Sequence, residues 1–236
     1  MPTAAAIIIG DEILSGKFAD ENGPWLAIRC REIGLDLTRI SIISDDIHVI
    51  AHEVRTCSSL VDHVFTSGGV GPTHDDMTMA GVAAAFDVPL KRNDELAELV
   101  QNRMGKDANE DALRMTDLPQ GAELWWDGDL RFPVVAMRNV AIFPGVPKYF
   151  RTKWNAVSHR FAGVPIVSRS LTTLQRETAI ATTLRKAQAD WPSVAIGSYP
   201  RFDTDPQNVI ICMDGRDTDA LDGCEAYLRQ QISIID

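Results

Sequence analysis

The sequence predicts an α/β protein built on a mostly parallel sheet, and three observations carry that expectation. Ala4-Ala5-Ala6-Ile7-Ile8-Ile9 is an unbroken apolar run, the pattern of a strand covered on both faces. Apolar runs then alternate with helical spacings in the order β-α-β-α-β-α, which calls for parallel strands with helices on both sides. Each of the first three strands ends in a polar or glycine-rich loop: Gly10–Glu12, Asp45–Asp46 and Gly68–Asp76. Ligands of such sheets bind outside the carboxyl ends of the strands, so the three loops are expected on one rim.

The first strand, Ala4–Ile9, runs into Gly10-Asp11-Glu12-Ile13-Leu14-Ser15-Gly16-Lys17. Asp20 or Asn22 can cap the next helix, which carries Pro24 near its first turn and stops at Gly34. Leu37–Ile43 is the second strand, and Ile47, Ile50, Ala51, Val54 and Cys57 recur at helical spacing up to Leu60. His63–Thr66 is the third strand. Beyond it a helix is expected from Asn93 to Met104 and a short one over Glu110–Thr116. Strands follow at Ala122–Trp126, Val134–Met137 and Val140–Phe143, the last two close enough to form a hairpin. Phe143-Pro144-Gly145-Val146-Pro147 is a fourth loop at a strand end, where prolines serve equally as punctuation or as part of a binding loop; Tyr149–Phe161 is helical.

Gly163-Val164-Pro165 reads as a boundary, dividing the chain into 1–163 and a small α+β unit, 164–236. In that unit the pattern gives a strand at Ile166–Leu174, a helix at Glu177–Asp190, strands at Val194–Tyr199 and Val209–Met213, and a helix at Asp217–Gln231. Its sheet should be covered on one face only, which suits an accessory role at the site's mouth or self-association, so a homo-oligomer is expected.

The chemistry concentrates at Ser67-Gly68-Gly69-Val70-Gly71-Pro72-Thr73-His74-Asp75-Asp76. Its three glycines permit positive φ and leave room for a ligand beside the backbone. Thr73 and Asp76, three apart, resemble a helix-capping pair heading a helix from Met77 to Phe86. A strand, a glycine loop and a helix start together suit a phosphate or another anion. A cap would account for one aspartate. Asp75 and Asp76 together beside the glycines fit a hard cation better, because Mg²⁺ binds through one or two carboxylates plus substrate phosphate. The loop matches neither the P-loop, having no Gly-Lys-Ser/Thr, nor Gly-x-Gly-x-x-Gly, since His74 occupies the third glycine's place.

Composition bounds the alternatives. The 236 residues are 45% hydrophobic and 24% charged, values of a globular chain with room for one large domain and a satellite. A net charge of −10 argues against general nucleic-acid binding but leaves a nucleotide substrate open, since a cation can offset its phosphates. No apolar run approaches a membrane span, and no basic segment precedes Ala4, so neither membrane insertion nor a signal peptide is expected. Cys30, Cys57, Cys212 and Cys224 lack Cys-x-x-Cys spacing and read as reduced thiols of a cytoplasmic protein. His48 and His52 lie four apart without a third ligand, Gly197-Ser198 lacks the nucleophile-elbow spacing, and the five tryptophans form no basic stacking platform.

The stretch Ser67–Thr78 resembles the signature of the MoaB/Mog molybdopterin-binding family. The closer likeness is to CinA-type amino-terminal domains and to the molybdopterin-binding-like domain of eukaryotic FAD synthase. It extends through Gly10–Lys17, Asp45-Asp46 and Arg131–Pro147, and on to Gly197-Ser198-Tyr199-Pro200. The resemblance implies a three-layer αβα domain with its site at the rim already described.

For the Mog-type enzymes it implies adenylyl transfer to molybdopterin, with Asp45 and Asp76 at the matching catalytic positions. For the FAD-synthase-like and CinA-like branch it implies metal-dependent hydrolysis of a nucleotide pyrophosphate such as FAD or ADP-ribose, with Mg²⁺, Mn²⁺ or Co²⁺. On that reading Asp75 and Asp76 hold the metal, and Asp45 holds it or orients water. Gly10, Asp11, Glu12, Asn22, Ser67, Gly68, Gly69, Gly71, Pro72, Thr73, Pro144 and Gly145 surround the nucleotide or pterin, and Lys17 adds a charged contact. A noncatalytic nucleotide-binding protein is a third reading. The synthase's FAD-forming domain and the deamidase domain of full-length CinA have no counterpart in these residues, so neither activity is expected.

Overall fold

The computed structural model describes residues 2–235, which fall into two compact units, one up to Gly163 and one from Val164 on. The first unit begins β1 (Thr3–Ile9), α1 (Asp11–Leu14), α2 (Asn22–Glu32), β2 (Asp36–Ile43), α3 (Ile47–Leu60), β3 (His63–Ser67) and α4 (Thr78–Ala85). It continues β4 (Leu90–Arg92), α5 (Asp94–Met104), α6 (Glu110–Arg114), β5 (Asp117–Pro119), β6 (Glu123–Trp125), β7 (Val134–Met137), β8 (Val140–Phe143) and α7 (Pro147–Val157).

Six strands form the main sheet in the order β2-β1-β3-β8-β7-β6. The first four run parallel, and the β7–β8 hairpin turns the far side antiparallel. Alternation along β1 explains the three layers. Ala5, Ile7 and Ile9 enter one core with Ile50, Val54 and Cys57 of α3 and Val82 of α4. Ala4 and Ala6 enter the other with Leu26 and Cys30 of α2 and Phe150, Trp154 and Val157 of α7. A strand covered on both faces must be apolar throughout, which is what the Ala4–Ile9 run encodes.

Two packing features fix the rim. Phe65 of β3 meets Trp154 edge-on at 5.1 Å and Phe161 at 4.8 Å. Such pairs add roughly 0.5–1.5 kcal/mol each beyond burial, and they anchor the strand that carries the glycine loop. On the opposite face α4 lies so close to α3 that a Cβ on Gly81 would sit 2.3 Å from Ile50 Cγ2. Only glycine permits that approach, which sets α4 down beside the end of β3.

Some elements differ from expectation. Leu90–Arg92 and Asp117–Pro119 pair as a separate two-stranded ribbon that sequence patterning does not reveal, since neither strand is long enough to alternate. The helix expected from Tyr149 starts at Pro147, whose fixed φ suits a first helical position. It stops at Val157, and Ser158–Arg160 tightens into a 3₁₀ turn.

The second unit comprises β9 (Val167–Thr173), α8 (Glu177–Asp190), β10 (Ala195–Arg201), β11 (Asn208–Gly215), α9 (Thr218–Gln231) and β12 (Ile234–Ile235). Its antiparallel sheet, ordered β10-β11-β9-β12, shares one core with both helices through Leu171, Ile180, Ile211, Met213, Leu221 and Leu228. Along β11 buried residues alternate with half-buried ones, so a single face is packed. Cys30, Cys57, Cys212 and Cys224 are free thiols, and burial pushes that of Cys30 up to about 12. No helix among the described residues is long and apolar enough to cross a membrane.

Candidate functional site

The loops that follow β1, β2, β3 and β8 converge, and glycine is what lets them touch. Gly68, at φ 111°, lies so close to β1 that a Cβ would sit 2.1 Å from the Ile9 carbonyl oxygen. On its other side, a Cβ on Gly145 would come within 3.2 Å of Gly68 Cα. Gly69, at φ 62°, leaves space that a Cβ would take from the Thr78 hydroxyl and the Asp45 carboxylate, at 2.5 and 3.4 Å. Hydrogen bonds complete the junction: Gly10 N–H donates to the Ile43 carbonyl, and Gly68 N–H to the Phe143 carbonyl.

Asn22 ties three of these segments together. Expected as a possible helix cap, it instead points inward from the first turn of α2 and is 4% exposed, while Asp20 accepts the N–H groups of Asn22 and Gly23 in the capping role. The Asn22 amide donates to Ser67 Oγ at 2.9 Å and to the Gly145 carbonyl at 2.7 Å. Its Oδ1 is buried and has no protein partner. Thr78, whose hydroxyl donates to the Gly68 carbonyl at 2.7 Å, belongs to this junction too. Sequence reading missed Thr78 as a site residue, because its importance comes from where the chain returns.

The two aspartates of the glycine loop play different parts. Asp76 accepts from Gly71 N–H at 2.6 Å, from Thr73 N–H at 2.7 Å and from the Thr73 hydroxyl at 2.5 Å. The Thr73–Asp76 pairing therefore forms, but it does not head a helix. α4 begins two residues later at Thr78, with Met77 before it offering no side-chain cap. The reason is geometric: the i, i+3 bond that closes a capping box also closes a turn, and here the turn is the loop itself. Asp76 fills the loop's own anion cradle. Asp75 is 64% exposed, with His74 Nδ1 at 3.9 Å, and its carboxyl is held below the usual range chiefly by the Thr73 hydroxyl.

Asp45 is the other carboxylate of the junction. It accepts from Asp11 N–H at 2.8 Å. Partial burial pushes its carboxyl above the usual range, Asp11 N–H opposes that, and the negative charges of Asp11, Glu12 and Asp75 push it further up. Asp46, beside it, caps α3 by accepting from His48 and Val49 N–H. Glu12 lies over Gly10, where a Cβ would meet both its carboxylate oxygens at 2.7 Å. Lys17 sits over the Phe18 ring at 5.7 Å, and Pro144 lies between β8 and Gly145 at the junction's edge.

These residues can accept a divalent ion as hard oxygen donors. No cluster of three or more His, Cys, Asp or Glu groups suited to a metal occurs among the described residues.

Known proteins agree with this architecture. Residues 5–163 match a family described as a probable molybdopterin binding domain, and residues 165–235 match the middle domain of FAD synthase. A protein of Archaeoglobus fulgidus is 34% identical over 212 residues, covering 89% of this chain and 90% of its own. A probable FAD synthase of Caenorhabditis elegans is 35% identical over 85% of this chain, which spans only 44% of that relative. Among solved structures, CinA from Thermoplasma acidophilum superposes with a TM-score of 0.63 at 27% identity, over 68% of this chain and 98% of that one. With a family match covering most of its length, this chain belongs to the MoaB/Mog family of molybdopterin-binding domains.

Proposed function

We propose that this chain is a metal-dependent hydrolase of nucleotide pyrophosphates of the FAD or ADP-ribose kind, acting at the junction of Gly10, Asp45, Gly68–Asp76 and Gly145. The observation that carries the reading is Asp45. Its carboxylate is held in place by Asp11 N–H while Asp11, Glu12 and Asp75 act on it with like charge, beside the space left open at Gly69. Like charges beside a phosphate repel it unless a cation joins them. A divalent ion held by Asp75 and Asp45 would neutralise the pyrophosphate and activate water for attack on it.

The chain's own residues do the rest. Asp76 occupies the N–H groups of Gly71 and Thr73, which stiffens the loop and would leave those of Gly69 and Val70 to meet phosphate oxygens. Asn22, bonded to Ser67 and the Gly145 carbonyl, holds the β3 and β8 loops together beneath the ligand. Asp45, with its raised pKa and its neighbour Asp11 N–H, is placed to orient and deprotonate water. The relatives named as FAD synthases and the family's pterin association support a second reading, a molybdopterin-binding or adenylyl-transfer protein.

The deciding experiment incubates the purified chain with FAD or ADP-ribose and Mg²⁺, Mn²⁺ or Co²⁺. Release of FMN plus AMP, or of ribose 5-phosphate plus AMP, that stops on chelation is the expected result. Tight pterin binding with no product from either dinucleotide, whatever the metal, would favour the second reading.

A further inference from the structure

Beyond the carboxylate junction, the glycine loop has a second side. Pro72, Thr73 and His74 form one wall of an open cleft of about 620 Å³ whose other wall is the α5–α6 segment, with Met104, Asp107, Asp111 and Arg114. That volume lies within the range of small-molecule sites. We infer that this cleft receives the planar heteroaromatic ring of the ligand, making it a base-recognition subsite contiguous with the phosphate loop. The inference rests on the proposed reading in one respect, that the glycine loop takes a phosphate.

The lining chemistry favours a ring over a second phosphate. Asp111 is offset by Arg114, which leaves Asp107 as an acidic group of the cleft with no ion pair among the described residues, and as acceptors both carboxylates suit ring N–H groups and exocyclic amines. His74, whose side chain is 95% exposed, brings an aromatic face to the loop side. Met104, 39% exposed on α5, brings a polarisable thioether, which makes favourable contacts with aromatic rings. Arg114, ion-paired with Asp111 at 3.3 Å, brings a flat guanidinium able to stack on a ring. Pro72 closes the wall with an apolar ring. The large exposure of His74 and Met104 has no role in the packing of the fold, and a ligand ring would cover both.

Adenine and isoalloxazine share this chemistry, so the test separates them. Calorimetric titration of the full chain with AMP, FMN, ribose 5-phosphate and ribitol 5-phosphate compares each ring-bearing ligand with its own ring-free phosphate end, ribosyl for AMP and ribityl for FMN. At least one ring-bearing ligand should bind roughly tenfold or more tightly than its ring-free counterpart, the scale of one stacked base. His74→Ala and Met104→Ala should each remove most of that advantage and leave the affinity of the ring-free phosphates unchanged. Whichever of AMP and FMN loses more assigns the ring. Met104 stands apart from the loop carboxylates, so its variant guards against an indirect effect of His74→Ala on Asp75. A wild-type chain that binds all four ligands equally, or not at all, overturns the subsite, as does a ring advantage that survives both substitutions. Product release from FAD or ADP-ribose is scored on the same samples: hydrolysis without a ring advantage defeats the subsite alone, and a ring advantage without hydrolysis defeats the hydrolase alone.

Discussion

Asp45 and Asp76 carry the same group in the loops after β2 and β3, the two parallel strands that flank β1, and the chain uses them in opposite ways. Asp76 is saturated: three donors from its own loop surround its carboxylate. Asp45 has one backbone donor and three carboxylate neighbours. A charge that is fully hydrogen-bonded builds structure, whereas one left among like charges at a strand end is available to a ligand. The difference teaches that a carboxylate's role at this rim is set by donors supplied locally, not by its distance from the glycines.

The largest effect should come from removing the space that holds both loops together. Gly68→Ala would place a Cβ on the Ile9 carbonyl in a conformation L-residues rarely adopt. We expect a loss of about 3 kcal/mol or more in unfolding free energy. Chemical denaturation checks this; ligand binding should vanish in the same variant, because the Asp45 and Asp76 loops lose their common wall.

Next in size is Asp45→Asn, which keeps the acceptor for Asp11 N–H and removes a crowded charge. Stability should hold or rise slightly, while turnover of FAD or ADP-ribose falls by roughly 10²-fold or more, the scale of losing one key electrostatic group. Asp76→Asn sharpens the contrast. One carboxylate oxygen becomes an NH₂ facing a donor on Gly71 or Thr73, so the fold should lose about 1–3 kcal/mol. Thermal melts and turnover measured together separate the two aspartates. Equal melting temperatures for the two variants would erase the distinction drawn here.

The sequence made the frame legible and left the closures obscure. The Ala4–Ile9 run and the loops after β1, β2 and β3 gave the parallel sheet and its shared rim, because strand burial and strand ends are local signals. The turn role of Asp76 was not legible, since a three-residue spacing between Thr73 and Asp76 serves a helix cap and a closed loop alike. Asn22 read as a possible cap and, through the family resemblance, as a ligand neighbour, but its bridge from Ser67 to Gly145 was not legible because it depends on a segment more than a hundred residues away. The β4–β5 ribbon was invisible because three residues carry no period. The cleft beside His74 needs α5 and α6 placed against the loop, which no pattern along the chain encodes.

The smallest effect should come from the second unit, where carboxylates are paired with arginines. Glu225 accepts from Arg229 at 2.9 Å and from Arg169 at 3.0 Å, and Asp222 also pairs with Arg169. The Arg229 hydrogen bond, then the Arg169 one, hold the Glu225 carboxyl below its ordinary value of 4.5. A carboxyl depressed by folding adds stability above its unfolded pKa and loses it as pH falls through the folded one. Glu225→Gln should therefore lower stability by less than about 1 kcal/mol at pH 7, as exposed pairs do. That deficit should shrink in high salt and disappear as the pH drops well below 4.5. Ligand affinity and turnover should not change. Denaturation curves at two salt concentrations and across pH 3–7 measure it directly. If Glu225→Gln instead weakened FAD or ADP-ribose binding, paired carboxylates would serve the ligand too, and the separation of spent from unspent charges would fail.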